Sequence, residues 1–203
     1  MNATKVSPAP FAVIGIVAAF LFAVVWIVAA KNDPSWVFGD NTLSDMGISD
    51  VQLTADLFMY GCIITGILIL VFGAGKACSE AGYSRASGIL LAAAGVFLVL
   101  VGVYNKDFGN GNTHETVAWL FFVFLALAAI VSIFGDMAEG KRLNGIITTI
   151  LVLICIGVCI GNTLAYTEGV VVACSLIWLL AESAKMILNL GAAKDPSPVV
   201  ESI

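Results

Sequence analysis

The sequence predicts an all-α polytopic membrane protein, a six-transmembrane-helix bundle with both termini cytoplasmic. Three observations carry that prediction. Of the 203 residues, 60% are hydrophobic and 11% are charged, and the mean hydropathy is +1.03. A soluble domain of this length has too little interior to hide so much apolar surface. The apolar residues fall into six uninterrupted segments, 11–30, 53–75, 86–104, 113–135, 145–163 and 169–190. About 20 helical residues at 1.5 Å rise cross a hydrocarbon layer ~30 Å thick. The segments are apolar all round, without the period-2 alternation of a β-barrel. Backbone groups in lipid must be satisfied within each segment, which leaves helices.

The first segment follows Lys5 alone and ends near Ala29-Ala30. It is longer than the apolar core of about 7–15 residues in a secretory signal, so it reads as a retained helix. The second opens at Asp56-Leu57-Phe58, with Tyr60 a turn further on. Gly88, Gly95 and Gly102 repeat every seven residues along the third and mark one smooth seam. His114 and Glu115 open the fourth. Gly157 and Gly161 form a small-xxx-small pair on the fifth, read as internal bundle packing. The sixth holds Glu182 and Lys185, three residues apart. They are expected to neutralise each other while the lysine snorkels toward the cytoplasm. No linker is long enough to separate two units, so residues 1–190 form a single six-helix transmembrane domain. Residues 191–203, with Pro196 and Pro198, read as a short disordered cytoplasmic tail.

Basic residues set the orientation. Under six spans, one face holds Lys5, Lys76, Arg85, Lys141, Arg142, Lys185 and Lys194, and the other only Lys31 and Lys106. Seven against two is a positive-inside signal that places a multi-pass protein in the cell membrane with N- and C-termini cytoplasmic. The formal net charge of −5 comes mostly from acids on the outer side. Nothing is basic enough for nucleic acid, so no nucleic-acid partner is expected. The five cysteines avoid the outer loops, so no disulfide framework is implied. Cys155 and Cys159 share a helix face but lack further ligands, and they read as small packing residues.

The outer side carries the polar chemistry. The long connection 31–52 places Pro34, Trp36 and Phe38 at the interface, then the polar turn Asn41-Thr42-Leu43-Ser44-Asp45-Met46-Gly47. In a closed bundle this turn, Asp56, Tyr60, the run Tyr104–Asp107, His114, Glu115, Asn162 and Tyr166 could meet in one outward cavity. With Thr42-Leu43-Ser44-Asp45-Met46-Gly47 after the first span, Asp56-Leu57-Phe58 opening the second and His114-Glu115-Thr116-Val117-Ala118 opening the fourth, the chain resembles the predicted six-span membrane proteins called domain of unknown function 998. The resemblance covers essentially the whole chain and implies the six-span layout, with no activity attached.

Ser44, Asp45, Asp56 and His114 are the candidate catalytic residues, since a serine, a carboxylate and a histidine are the parts of nucleophilic hydrolysis. The competing reading is a hydrogen-bonded clamp in which the turn folds over the bundle and Asp45 or Ser44 bonds His114. A single histidine rules out the several that a catalytic zinc usually takes, and the paired axial histidines of a b-type cytochrome. No metal and no cofactor are expected. The sequence therefore favours a small helical bundle that packs with membrane lipids or with other membrane-protein subunits of a larger assembly. The alternative is an outward-facing enzyme or carrier for a lipid or small molecule using the Ser44/Asp45/Asp56/His114 cluster.

Overall fold

The computed structural model describes residues 7–194, apart from the side chains of 109, 110 and 190–194. It contains six long helices: α1 (Ala9–Asn32), α2 (Gln52–Ser79), α3 (Gly82–Val103), α4 (Asn112–Ala138), α5 (Arg142–Gly161) and α6 (Leu164–Lys194). All six are long and apolar enough to cross a membrane. Most run past the apolar segments read from the sequence, because polar residues at a helix end keep helical backbone after leaving the hydrocarbon. α6 continues to Lys194, so residues 191–194 are helical rather than tail. Residues 195–203 lie outside the described residues.

Consecutive helices pack on each other, and α6 also packs on α1, so the ring closes. The tightest seam joins α2 and α3. A Cβ on Gly73 would lie 2.5 Å from the Ala92 nitrogen and 2.7 Å from the Gly88 oxygen. One on Gly95 would lie 2.5 Å from the Leu70 nitrogen and 2.7 Å from the Gly66 oxygen. The two helices thus exchange reciprocal glycines backbone to backbone, the close approach that packing in lipid rewards. The glycine seam of α3 finds its partner in Gly66 and Gly73.

α5 sits outermost, with only Gly145 and Thr148 buried. A Cβ on Gly157 or Gly161 would meet nothing within 4 Å. The small-residue pair on α5 therefore faces outward, which corrects its reading as an internal contact. α4 turns into α5 through Gly140 at φ 75°, a left-handed conformation that costs glycine nothing.

Candidate functional site

The end of the bundle that the sequence reads as outer is closed by the connection after α1. Residues Leu43–Ile48 form a 3-10 turn lying against α1, α2 and α6, with Leu43, Ser44 and Met46 buried. Its start is capped reciprocally: the Thr42 amide donates to Asp45 Oδ2 at 2.7 Å. The Lys106 ammonium donates to Thr42 Oγ1 at 2.7 Å and pairs with Asp45 Oδ1. The Leu43 amide donates to Glu168 Oε2 on α6 at 3.0 Å, fastening the turn to the last helix of the ring. Upstream, Asp33 accepts hydrogen bonds from the Ser35 amide and the Ser49 hydroxyl. The Trp36 indole donates to the Thr42 carbonyl at 2.9 Å. Burial pushes the Asp45 carboxyl up, but Lys106 and the Thr42 donors outweigh it and hold the group below its ordinary value.

None of the four candidate catalytic residues hydrogen-bonds another. Ser44 Oγ lies 3.1 Å from Thr42 Oγ1, Asp45 is held by Thr42 and Lys106, and Asp56 accepts from the Gln52 amide at 2.8 Å. His114 is 2% exposed, and its Nδ1 donates to the Tyr104 carbonyl at 2.6 Å. The turn does fold over the bundle, as the clamp requires. The expected bond from Asp45 or Ser44 to His114 is not made, because Lys106 reaches the carboxylate first and the frayed end of α3 offers the imidazole a carbonyl. Tyr60 and Glu115 are exposed rather than gathered inward. Among the described residues no group of three or more acids, cysteines and histidines could hold a metal.

The opposite end, read as inner from the sequence, holds a second cluster. Its Glu182–Lys185 pair is expected from the sequence, whereas the partners on other helices, Lys76 and Asp136, are not. Lys76 near the end of α2, Asp136 near the end of α4, and Glu182 and Lys185 of α6 are all 2% exposed or less. The Lys185 ammonium donates to Asp136 Oδ1 at 2.8 Å and to Glu182 Oε1 at 2.6 Å. Lys76 pairs with the other oxygen, Glu182 Oε2, and lies 3.4 Å from Ser87 Oγ on α3. Lys185 therefore does not snorkel out of the membrane, and Lys76 is not a loop charge. Each turns inward because a carboxylate on a neighbouring helix neutralises it there. Glu80, the residue after α2, borders this layer. Burial raises its carboxyl, outweighing the lowering by Lys76 and Lys185, and its Oε2 has no hydrogen-bond partner. Asp136 Oδ2 likewise has none.

One helical turn above Glu182, a cavity of about 40 Å³ lies at the centre of the ring. Its wall is apolar, with Phe22, Leu91, Phe121 and Leu179. Two unpartnered polar atoms, Thr65 Oγ1 and Trp178 Nε1, belong to residues that line it.

A closed ring of six apolar helices, capped at one end by a hydrogen-bonded turn and at the other by buried ion pairs, defines an integral membrane bundle. Residues 16–185 match the family model described as protein of unknown function (DUF998), and the chain belongs to that family. No curated protein and no solved structure matches the chain.

Proposed function

We propose that the protein is a small helical bundle of the cell membrane, with both termini cytoplasmic, that packs with lipid or serves as a subunit of a larger assembly. The observation that carries this reading is the distribution of polar and apolar surface. The polar side chains at both ends are largely spent on one another, and the central cavity has room for only water-sized molecules. Large apolar side chains instead face outward on every helix, among them Phe20, Ile64, Val96, Trp119, Ile150 and Ile177. In lipid that belt is the working surface.

Purification from native membrane in gentle detergent, with mass spectrometry of the intact particle, tests the reading. Retained lipids or co-purifying membrane proteins are the expected result. Recovery of a bare chain whose measured turnover is abolished by Ser44→Ala, Asp45→Ala or His114→Ala, with the fold intact, would replace this reading with the enzymatic one.

A further inference from the structure

We propose that the inner charged layer is a proton-binding site, open to the cytoplasmic side through Glu80 and shared between Glu80 and Asp136. The proposal rests on charge balance and on two orphaned carboxylate oxygens. Two ammoniums, Lys76 and Lys185, pair with two carboxylates, Asp136 and Glu182, and a third carboxylate, Glu80, lies one helical turn after Lys76 with a buried oxygen that no cation pairs. Fully ionised, the layer carries one uncompensated negative charge in a setting of low dielectric, where such a charge is expensive. One bound proton makes it neutral.

The geometry selects where that proton resides. Glu182 bridges both lysines, one to each oxygen, and so keeps its charge. Asp136 has one oxygen on Lys185 and the other without any partner, although the residue is 0% exposed. Glu80 Oε2 is also buried without a partner. Both residues lie at helix C-termini, Glu80 capping α2 and Asp136 in the last turn of α4. The negative end of the helix dipole there disfavours a carboxylate and leaves a protonated acid untouched. Lys76, in the last turn of the same α2, is a cation at that negative end.

The remaining neighbours do not supply the missing positive charge. From α3, Ser87 donates to the Ala128 carbonyl at 2.9 Å and Ser84 donates to Glu139 at 3.1 Å. The exposed Arg85 guanidinium bonds the main-chain carbonyls of Ala77 and Glu80, not a carboxylate. At the rim Lys141 reaches Glu80 electrostatically, but its ammonium pairs with a fourth carboxylate, Glu139, so the two together add no net charge. Arg142, which opens α5, is exposed. From α6, Ser183 donates to its own helix at Leu179, and α1 brings glycine and aromatic residues, Gly15 and Phe11. Glu80 is half-buried in the short connection between α2 and α3, so it offers the route to water.

Difference infrared spectroscopy of the protein in lipid, recorded against pH, tests the proposal through the carbonyl stretch of a protonated carboxylic acid. All measurements use a Glu168→Gln background, so that this carboxyl at the opposite end does not contribute. This parent chain should gain the band as pH falls through the neutral range, above the range in which ordinary surface carboxylates protonate, together with uptake of one proton per chain in that range measured by a pH dye. Asp136→Asn and Glu80→Gln each leave the two ammoniums facing two carboxylates, so each variant should fold and lose both the band and the uptake. No acid band in the neutral range would overturn the proposal, and so would a band surviving both further substitutions. Proton uptake by the parent chain is read independently of either further substitution, so a variant that fails to fold leaves that measurement standing.

Discussion

Individual side chains close this bundle at its two ends, and they do so by opposite electrostatics. At the outer end, Asp45 is held below its ordinary value by Lys106 and Thr42 in spite of burial. Its ionised form therefore stabilises the fold, fully above the ordinary carboxylate range, and that contribution is lost as pH falls through the lowered value. Asp45→Asn should flatten this acid limb in thermal unfolding followed against pH. At the inner end Glu80 is raised by burial, so its protonated form is the favoured one. Stability is lost as pH rises from the ordinary glutamate value through the raised one, and Glu80→Gln should remove that slope. His114 acts on neither charge. His114→Ala strands the Tyr104 carbonyl and should cost about 1–3 kcal/mol in a denaturant or thermal measurement. Lys76 is the most consequential single residue. Lys76→Met leaves Glu182 with one cation instead of two and should cost on the order of 3–5 kcal/mol, whereas Lys76→Met with Glu182→Leu should recover much of it. A double variant no more stable than the single would show that the pair is not the unit.

Between helices the decisive feature is which glycines meet backbone. Gly73 and Gly95 lie against the opposite helix, with no room for a methyl group. Gly73→Ala should therefore force α2 and α3 apart at a cost of about 1–3 kcal/mol. Gly157→Ala meets open space and should change stability by no more than about 0.5 kcal/mol. Thermal unfolding in the same detergent compares the two, and equal losses would contradict the seam. The spacing of Gly88, Gly95 and Gly102 was enough to find this seam, because a seven-residue repeat keeps to one helix face. Which side of α5 carries neighbours was not legible, since an all-apolar helix has no polar stripe to point outward. The inner layer escaped notice for a related reason. Lys76 and Asp136 terminate their hydrophobic runs, and a charge ending such a run is ordinarily read as the first loop residue. The signal that remained was in α6. Glu182 and Lys185 sit inside an apolar helix, and each needed further partners from other helices.

The six spans were legible from hydropathy alone, and the ring follows from the packing of each helix on the next and the return of α6 to α1. Orientation asks more of the sequence, and the fold changes how its basic residues should be weighed. In the folded ring Lys76 and Lys185 are neutralised by carboxylates inside the bundle and present no charge at its surface. Lys106 is likewise paired on the outer side. With Lys141 paired to Glu139 as well, the residues left for the inner face are Lys5, Arg85, Arg142 and Lys194, against Lys31 on the other, which makes no ion pair among the described residues. The positive-inside bias thus survives removal of the pairs, and it rests on Arg85, Arg142 and the chain ends. Impermeant thiol labelling of intact cells tests it at the two connections that flank α4. In a background with the five native cysteines replaced, Asp107→Cys lies in the exposed turn between α3 and α4 and should label from outside. Lys141→Cys lies at the opposite end of α4, 27 residues long and so ~40 Å away, and should label only after the membrane is opened. The reverse pattern would turn the protein over, placing the Thr42–Asp45–Lys106 cap in the cytoplasm and exposing the Glu80 route to the outside.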